Sequence, residues 1–191
     1  MSEFLEGKFL IAMPDMADER FSRTVILVCA HSEEGAMGIV INRAQEIGFA
    51  DLISQIGLID DDEAIHLPAE ARKMIVRDGG PVDRSRGFVL HSDDYTLSSS
   101  LDVSGGLRLT ATVDVLRAIS DGSGPEKAIM ALGYAGWGAG QLEGEIAQNG
   151  WLVADAPSEL IFDRPLEEIW PGALGLLGID PVNLSAVAGN A

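Results

Sequence analysis

Along much of this chain apolar residues come in short consecutive runs or alternate with polar ones, and only a few stretches space them three and four apart. The first rhythm belongs to strands and the second to helices. Residues 8–13 (KFLIAM) form an apolar run closed by Pro14, whose ring removes a backbone donor, so a buried strand is expected to leave its sheet there. Residues 15–22 then read as a polar connection anchored by Phe21. Residues 24–31 (TVILVCAH) and 36–42 (AMGIVIN) are rich in β-branched side chains and are separated by Ser32, Glu33, Glu34 and Gly35. That pattern predicts a β-hairpin with Gly35 in the left-handed position.

Leu52, Ile53 and Ile56 share one face of a helix predicted over 49–58, and the acidic residues 60–63 read as a solvated loop. Strands are expected at 74–77 and 87–91, on either side of the turn Asp78, Gly79, Gly80, Pro81. Residues 107–112 alternate with period two, as a strand with one wet face does. Val115, Leu116 and Ile119 mark a short helix over 114–120, stopped by the run DGSGP. A buried strand over 128–134, a helix over 139–148, a strand over 151–154 and a helix over 165–177 broken at Pro171 complete the expected order. The residues from Leu184 onward are small and polar enough to fray, which predicts one compact domain over 1–184 with 185–191 as a tail.

The stretch 133–151 (GYAGWGAGQLEGEIAQNGW) holds six glycines in nineteen residues together with Trp137 and Trp151. Backbone can approach another surface closely there, and the aromatics supply anchors. Gly138 to Gly144 follows a predicted strand and opens a helix, with Asp155 ending the next strand, a variant of the dinucleotide-binding fingerprint. Glu143 and Glu145 would put negative charge beside a pyrophosphate, so packing or turn geometry is the competing reading. Trp137, Gln141 and Glu145 fall at i, i+4 and i+8, which places them on one helical face. That face is either a polar working surface or two core tryptophans with solvated acids.

Charge narrows the functional classes. Thirteen Lys and Arg against thirty Asp and Glu give −17, a field that disfavours direct nucleic-acid binding while leaving a local basic site open. A core is affordable at 191 residues with 47% hydrophobic content. The start lacks a signal-peptide pattern, no run approaches a membrane span, and the single cysteine, Cys29, suits a reducing compartment, so a cytosolic protein without membrane attachment is expected.

Cys29 and His31 would face one side of a regular strand, and His91 ends another, so a Cys/His site can be drawn. Without CxxC, HxxxH or HExxH spacing, neither a metal nor a resident cofactor is expected, and a buried inert thiol is the default. Gly79, Gly80 and Pro81 could present backbone N–H groups to an anion, and Asn42 and Arg43 could bind a carboxylate or phosphate; a plain turn and a plain strand end are the alternatives.

Taken together the segments resemble the YqgE/AlgH family of bacterial proteins. The residues that carry the likeness are Phe9 to Ala12 with Pro14, Phe21, Gly35 to Gly38 with Asn42 and Arg43, Gly79 to Pro81, Leu90 with His91, and GYAGWGAGQLEGE from Gly133 to Glu145, continued by Asn149 and Trp151. The resemblance runs from about Leu5 to Asp180 and implies an α+β fold, with a bent, mixed sheet tending to a pseudo-barrel and flanked by helices. For function it implies less, because the family is largely uncharacterised and the AlgH name carries only an association with transcriptional control of alginate synthesis.

The leading expectation is a binding or indirect regulatory protein whose surface gathers Asn42, Arg43, Gly79, Gly80, Pro81, Trp137, Gln141 and Glu145, for an unknown protein partner or small molecule. An enzyme acting on a small anionic or nucleotide ligand, with His91 or Glu145 as acid/base, is the alternative. A direct DNA-binding regulator is the third reading; the charge and the lack of a basic helix-turn-helix disfavour it.

Overall fold

The computed structural model describes residues 4–180. Its strands are β1 (Lys8–Ala12), β2 (Val25–Ser32), β3 (Gly35–Val40), β4 (Ala44–Gly48), β5 (Ile75–Asp78), β6 (Val82–Ser92), β7 (Leu101–Ser104), β8 (Leu107–Thr110), β9 (Ala128–Gly138) and β10 (Trp151–Asp155). Its helices are α1 (Phe49–Gln55), α2 (Asp61–Ile65), α3 (Ala69–Lys73), α4 (Val113–Asp121), α5 (Gln141–Ala147), α6 (Ser158–Phe162) and α7 (Leu166–Leu176).

The main sheet runs β10-β1-β2-β3-β9-β6-β8-β7, each neighbouring pair antiparallel. β9 is long enough to serve two partners on one edge. Residues 135–138 pair with β3, and Met130 to Leu132 pair in parallel with β5, which makes the sheet mixed. The sheet curls into a half-barrel that brings Val103 of β7 into one apolar cluster with Phe9 and Leu27.

Both faces of β1 and β2 are buried, as their unbroken apolar runs require. Phe9, Ile11 and Leu27 face the inner cluster, closed by Ile161, Ile169 and Leu174 of α6 and α7. Leu10, Ile26 and Val28 face outward and are covered by Trp137, Leu142 and Trp151. A third cluster lies under α1, α3 and α4, where Phe49, Ile53, Leu116 and Ile119 meet Val76 and Met130. Each such side chain adds roughly 1.5–3 kcal/mol on burial, so these layers dominate stability.

Gly133 decides how β9 serves two of these clusters. Before it, Ile129 and Ala131 face the inner cluster; after it, Ala135 and Trp137 face the outer one, although all four positions are odd. A strand of constant pleat would keep them on one side. Gly133 sits at φ +79°, and this one left-handed residue inverts the alternation.

The predicted order holds with local departures. The 60–63 run is not a loop: Asp60 caps α2 by accepting the Glu63 N–H at 2.8 Å, the competence of Asp as an N-cap outweighing its solubility. α7 runs through Pro171 instead of breaking there. The carbonyl that loses its partner, on Glu167, lies on the exposed side, while Ile169, Trp170, Ala173 and Leu174 hold the other side in the core. Strands β4 and β7 and the short helices α3 and α6 carry too little pattern to be read alone. The frayed tail expected over 185–191 lies outside the described residues. No helix among the described residues is long and apolar enough to cross a membrane.

Candidate functional site

The glycine-proline turn joins β5 to β6 and lies flat on β9. Gly79 donates to Leu132 O at 2.8 Å and accepts from Val40 N at 2.9 Å, and Asp78 N donates to Arg43 O at 2.8 Å. A Cβ on Gly80 would stand 2.3 Å from the Tyr134 carbonyl, so only backbone fits between the turn and the strand. The end of β3, the turn and the start of the 133–151 stretch are therefore in contact. Asn42 pins this corner, accepting from Val25 N at 2.9 Å and donating to Arg23 O at 2.9 Å.

Arg43 reaches across to the loop that follows Pro14, donating to the carbonyls of Arg20, Glu19 and Ser22. Its guanidinium is thereby fixed on three backbone acceptors. Arg20, Arg43 and Arg84 with Val40, Asp78, Gly80 and Pro81 line a cleft of about 220 Å³. Arg84 approaches Asp78 at 3.6 Å and Arg20 grips Asp18 at 2.8 Å. The Arg20 guanidinium holds the Asp18 carboxyl below its ordinary range.

The second group of expected residues meets at the other end of the 133–138 segment. Glu145 Oε1 accepts from the indole N–H of Trp137 at 3.2 Å and of Trp151 at 3.0 Å, and its Oε2 accepts from Gln141 Nε2 at 2.9 Å. Gln141 Oε1 in turn accepts from Gly138 N at 3.0 Å, closing the turn into α5. Trp137 and Trp151 are buried and meet edge to face. Phe21 meets Trp151 edge to face from the same loop that Arg43 holds, so the 14–23 loop joins the two groups. In this geometry Glu145 is a structural clamp whose oxygens already have donors.

His91 is in neither group. It is fully buried between β8 and the start of the 92–100 loop, Nδ1 facing Ser92 O and Nε2 facing Thr110 Oγ1, both at 2.8 Å. Burial pushes its imidazole below the ordinary histidine value. Both ring nitrogens are engaged and the residue has no solvent exposure. His31 pairs instead with Glu143, accepting from Leu5 N on Nδ1, so Nε2 carries the hydrogen.

Cys29 sits at a bulge of β2 with its Sγ 3.6 Å from Leu27 O. Complete burial pushes the thiol up to about 12, far from a thiolate at neutral pH. The thiol is expected to resist Ellman's reagent in the native protein and to react fully in guanidinium chloride. Prompt native labelling would contradict this burial.

The dinucleotide reading fails on topology. β9 and β10 are separated by β3, β2 and β1, so β9-α5-β10 is not the compact crossover that holds a pyrophosphate at its switch point. The first turn of α5 carries Glu143, which points negative charge where a phosphate would approach. The residues that line the cleft but were not singled out from sequence are Arg20 and Arg84. Isolated arginines, Arg20 in the 14–23 loop and Arg84 near the start of β6, carry no local pattern, and only folding gathers them.

Residues 9–182 match the family model described as AlgH-like. A UPF0301 protein of Chelativorans sp. (strain BNC1) is 60% identical over 98% of this chain and 93% of its own length. A UPF0301 protein of Mesorhizobium japonicum is also 60% identical, over 98% and 93%. The solution structure of the AlgH protein from Pseudomonas aeruginosa superimposes with a TM-score of 0.78 at 41% identity, covering 97% of this chain and 96% of that one. A crystal structure of a Corynebacterium diphtheriae protein, at 20% identity and a TM-score of 0.69 over 91% of this chain and 87% of that one, shares the fold.

Proposed function

The chain belongs to the AlgH-like family, and from that premise we propose that it is a binding protein that receives an anionic group, a carboxylate or phosphate on a small ligand or partner, in the cleft between the glycine-proline turn and the 14–23 loop. The observation that carries this reading is the convergence of Arg20, Arg43 and Arg84 on one cleft of a chain whose net charge is −17. Guanidinium forks match carboxylate and phosphate oxygens, and Arg43 is held in place before any ligand arrives. Any influence on transcription then runs through such a ligand or partner, since the overall charge opposes a nucleic-acid backbone. The cytosol is the setting that the unpaired, buried Cys29 thiol fits.

An enzymatic reading gains no support from this geometry, because His91 is buried and Glu145 is occupied. Arg20 and Arg84 are exposed, so truncating them is expected to leave the fold intact. Calorimetric titration with inorganic pyrophosphate at low salt should give saturable binding that weakens as salt rises. Arg84→Ala and Arg20→Ala should each weaken it about tenfold, the scale of one charge-assisted contact. Unchanged affinity in both variants, or no binding by the parent protein, would refute the assignment.

A further inference from the structure

Arg77 lies on β5 beside Ala131 of β9, on the strand face that carries Ile129 and Ala131 into the inner apolar cluster. The residue is 93% buried, its relative exposure being 7%. Its one side-chain hydrogen bond among the described residues is from Nη1 to Ile41 O at 2.6 Å, and its Nε is sealed from solvent without an acceptor. No carboxylate among the described residues forms an ion pair with it. Burial lowers its pKa to about 10, which still leaves it charged at neutral pH. A buried, unpaired cation is costly, and a native protein retains one when something compensates it.

Arg77 lines a cleft of about 630 Å³ between β5, the start of β9 and the α6–α7 turn. The walls are mixed: Ile75, Ile119, Ile129, Phe162 and Leu166 supply apolar surface, and Lys73 and Lys127 add positive charge. The nearest acid on the α6–α7 turn, Asp163, is engaged by Lys127 at 2.7 Å, and Arg164 by Glu159 at 2.6 Å. Glu70 and Glu126 also line the cleft, are exposed, and form no ion pair with Arg77. The volume falls in the range of small-molecule sites, which are apolar with a few placed polar groups.

We propose that this cleft binds a small organic anion with an apolar body, its carboxylate or phosphate held by Arg77 and its body laid against Ile75, Ile129, Phe162 and Leu166. The site is separate from the Arg20, Arg43 and Arg84 cleft and stands on a different observation, the orphaned buried guanidinium. Octanoate and octyl phosphate are the two probes, one for each headgroup, and octanol is the neutral control. At about a hundred times its dissociation constant a bound probe should raise the thermal midpoint of the full chain by roughly 5 to 10 °C. Octanol should do less than a quarter of this.

Arg77→Met keeps the volume and removes the charge, and should weaken octanoate at least tenfold while the variant keeps its native circular dichroism. Arg84→Ala should leave octanoate binding unchanged. The Nε–H resonance of Arg77 in the parent protein gives a readout that needs no variant, because it should shift on saturation with octanoate or octyl phosphate. A shift with only one probe assigns the headgroup. Overturning results are a midpoint and an Nε–H signal unmoved by either probe, or an equal response to octanol, either of which would leave Arg77 as a support for the Ile41 carbonyl alone.

Discussion

Gly80→Val is expected to destabilise the protein by about 4 kcal/mol or more, enough to lower the midpoint by roughly 8 to 16 °C or to prevent folding. The cause is steric and local. Gly80 has φ +147°, a region that β-branched residues essentially do not enter, and its Cβ would lie 2.3 Å from the Tyr134 C and O and 2.6 Å from Ala135 N. These are backbone atoms of the central strand, which cannot swing aside as a side chain could. Relief would require β9 to part from the turn, breaking the Gly79 to Leu132 hydrogen bond. Urea unfolding against Arg84→Ala, on the same rim but exposed, separates this effect from loss of a ligand. A Gly80→Val protein with parental stability would mean that the turn does not lie on β9.

Glu145→Ala should cost roughly 2 to 4 kcal/mol, because two buried indole N–H groups lose their acceptor at once and each unsatisfied donor costs about 1–3 kcal/mol. The lower half of that range applies if water enters, which the partly exposed carboxylate permits. Glu145→Gln should cost much less, since its amide oxygen can still accept from both indoles. The measurement is urea unfolding followed by tryptophan fluorescence, which also reports the environment of Trp137 and Trp151. Parental stability in both variants would show that the clamp contributes nothing, and a loss in Glu145→Gln as large as in Glu145→Ala would assign the effect to charge.

The two variants test opposite halves of one surface. Gly80 and Arg43 meet where β3 ends, and Trp137, Gln141 and Glu145 meet where β9 ends, with the 14–23 loop tied to both by Arg43 and by Phe21 on Trp151. His91 stands outside this surface because its strand places it between Thr110 and the core rather than at an edge.

Local pattern was enough for the elements whose burial is set by their own residues. The apolar runs of β1 and β2, the β9 strand, the amphipathic α4 with Val115, Leu116 and Ile119, and the glycine turn at 79–80 are each specified within a few positions. The resemblance carried in the 133–145 stretch extended this to the family and to the curled, mixed sheet. Pattern failed where a feature depends on distant partners. β4 and β7 are short and take their strand geometry from the strands beside them, and α7 passes through Pro171 because its far side is already held by the core.

The sites divide in the same way. By itself the sequence determined an acidic chain with one cysteine, a glycine-rich strand-to-helix stretch, and Trp137, Gln141 and Glu145 at helical spacing. Only the tertiary structure decided that Glu145 is saturated by two indoles, that three arginines far apart in the chain share one cleft, and that Arg77 lies buried with no counter-charge among the described residues. Helical spacing is a property of a few consecutive residues, whereas the pairing of a charge depends on what packs against it, and contacts across 36 residues, as between Arg77 and Ile41, leave no trace in either neighbourhood.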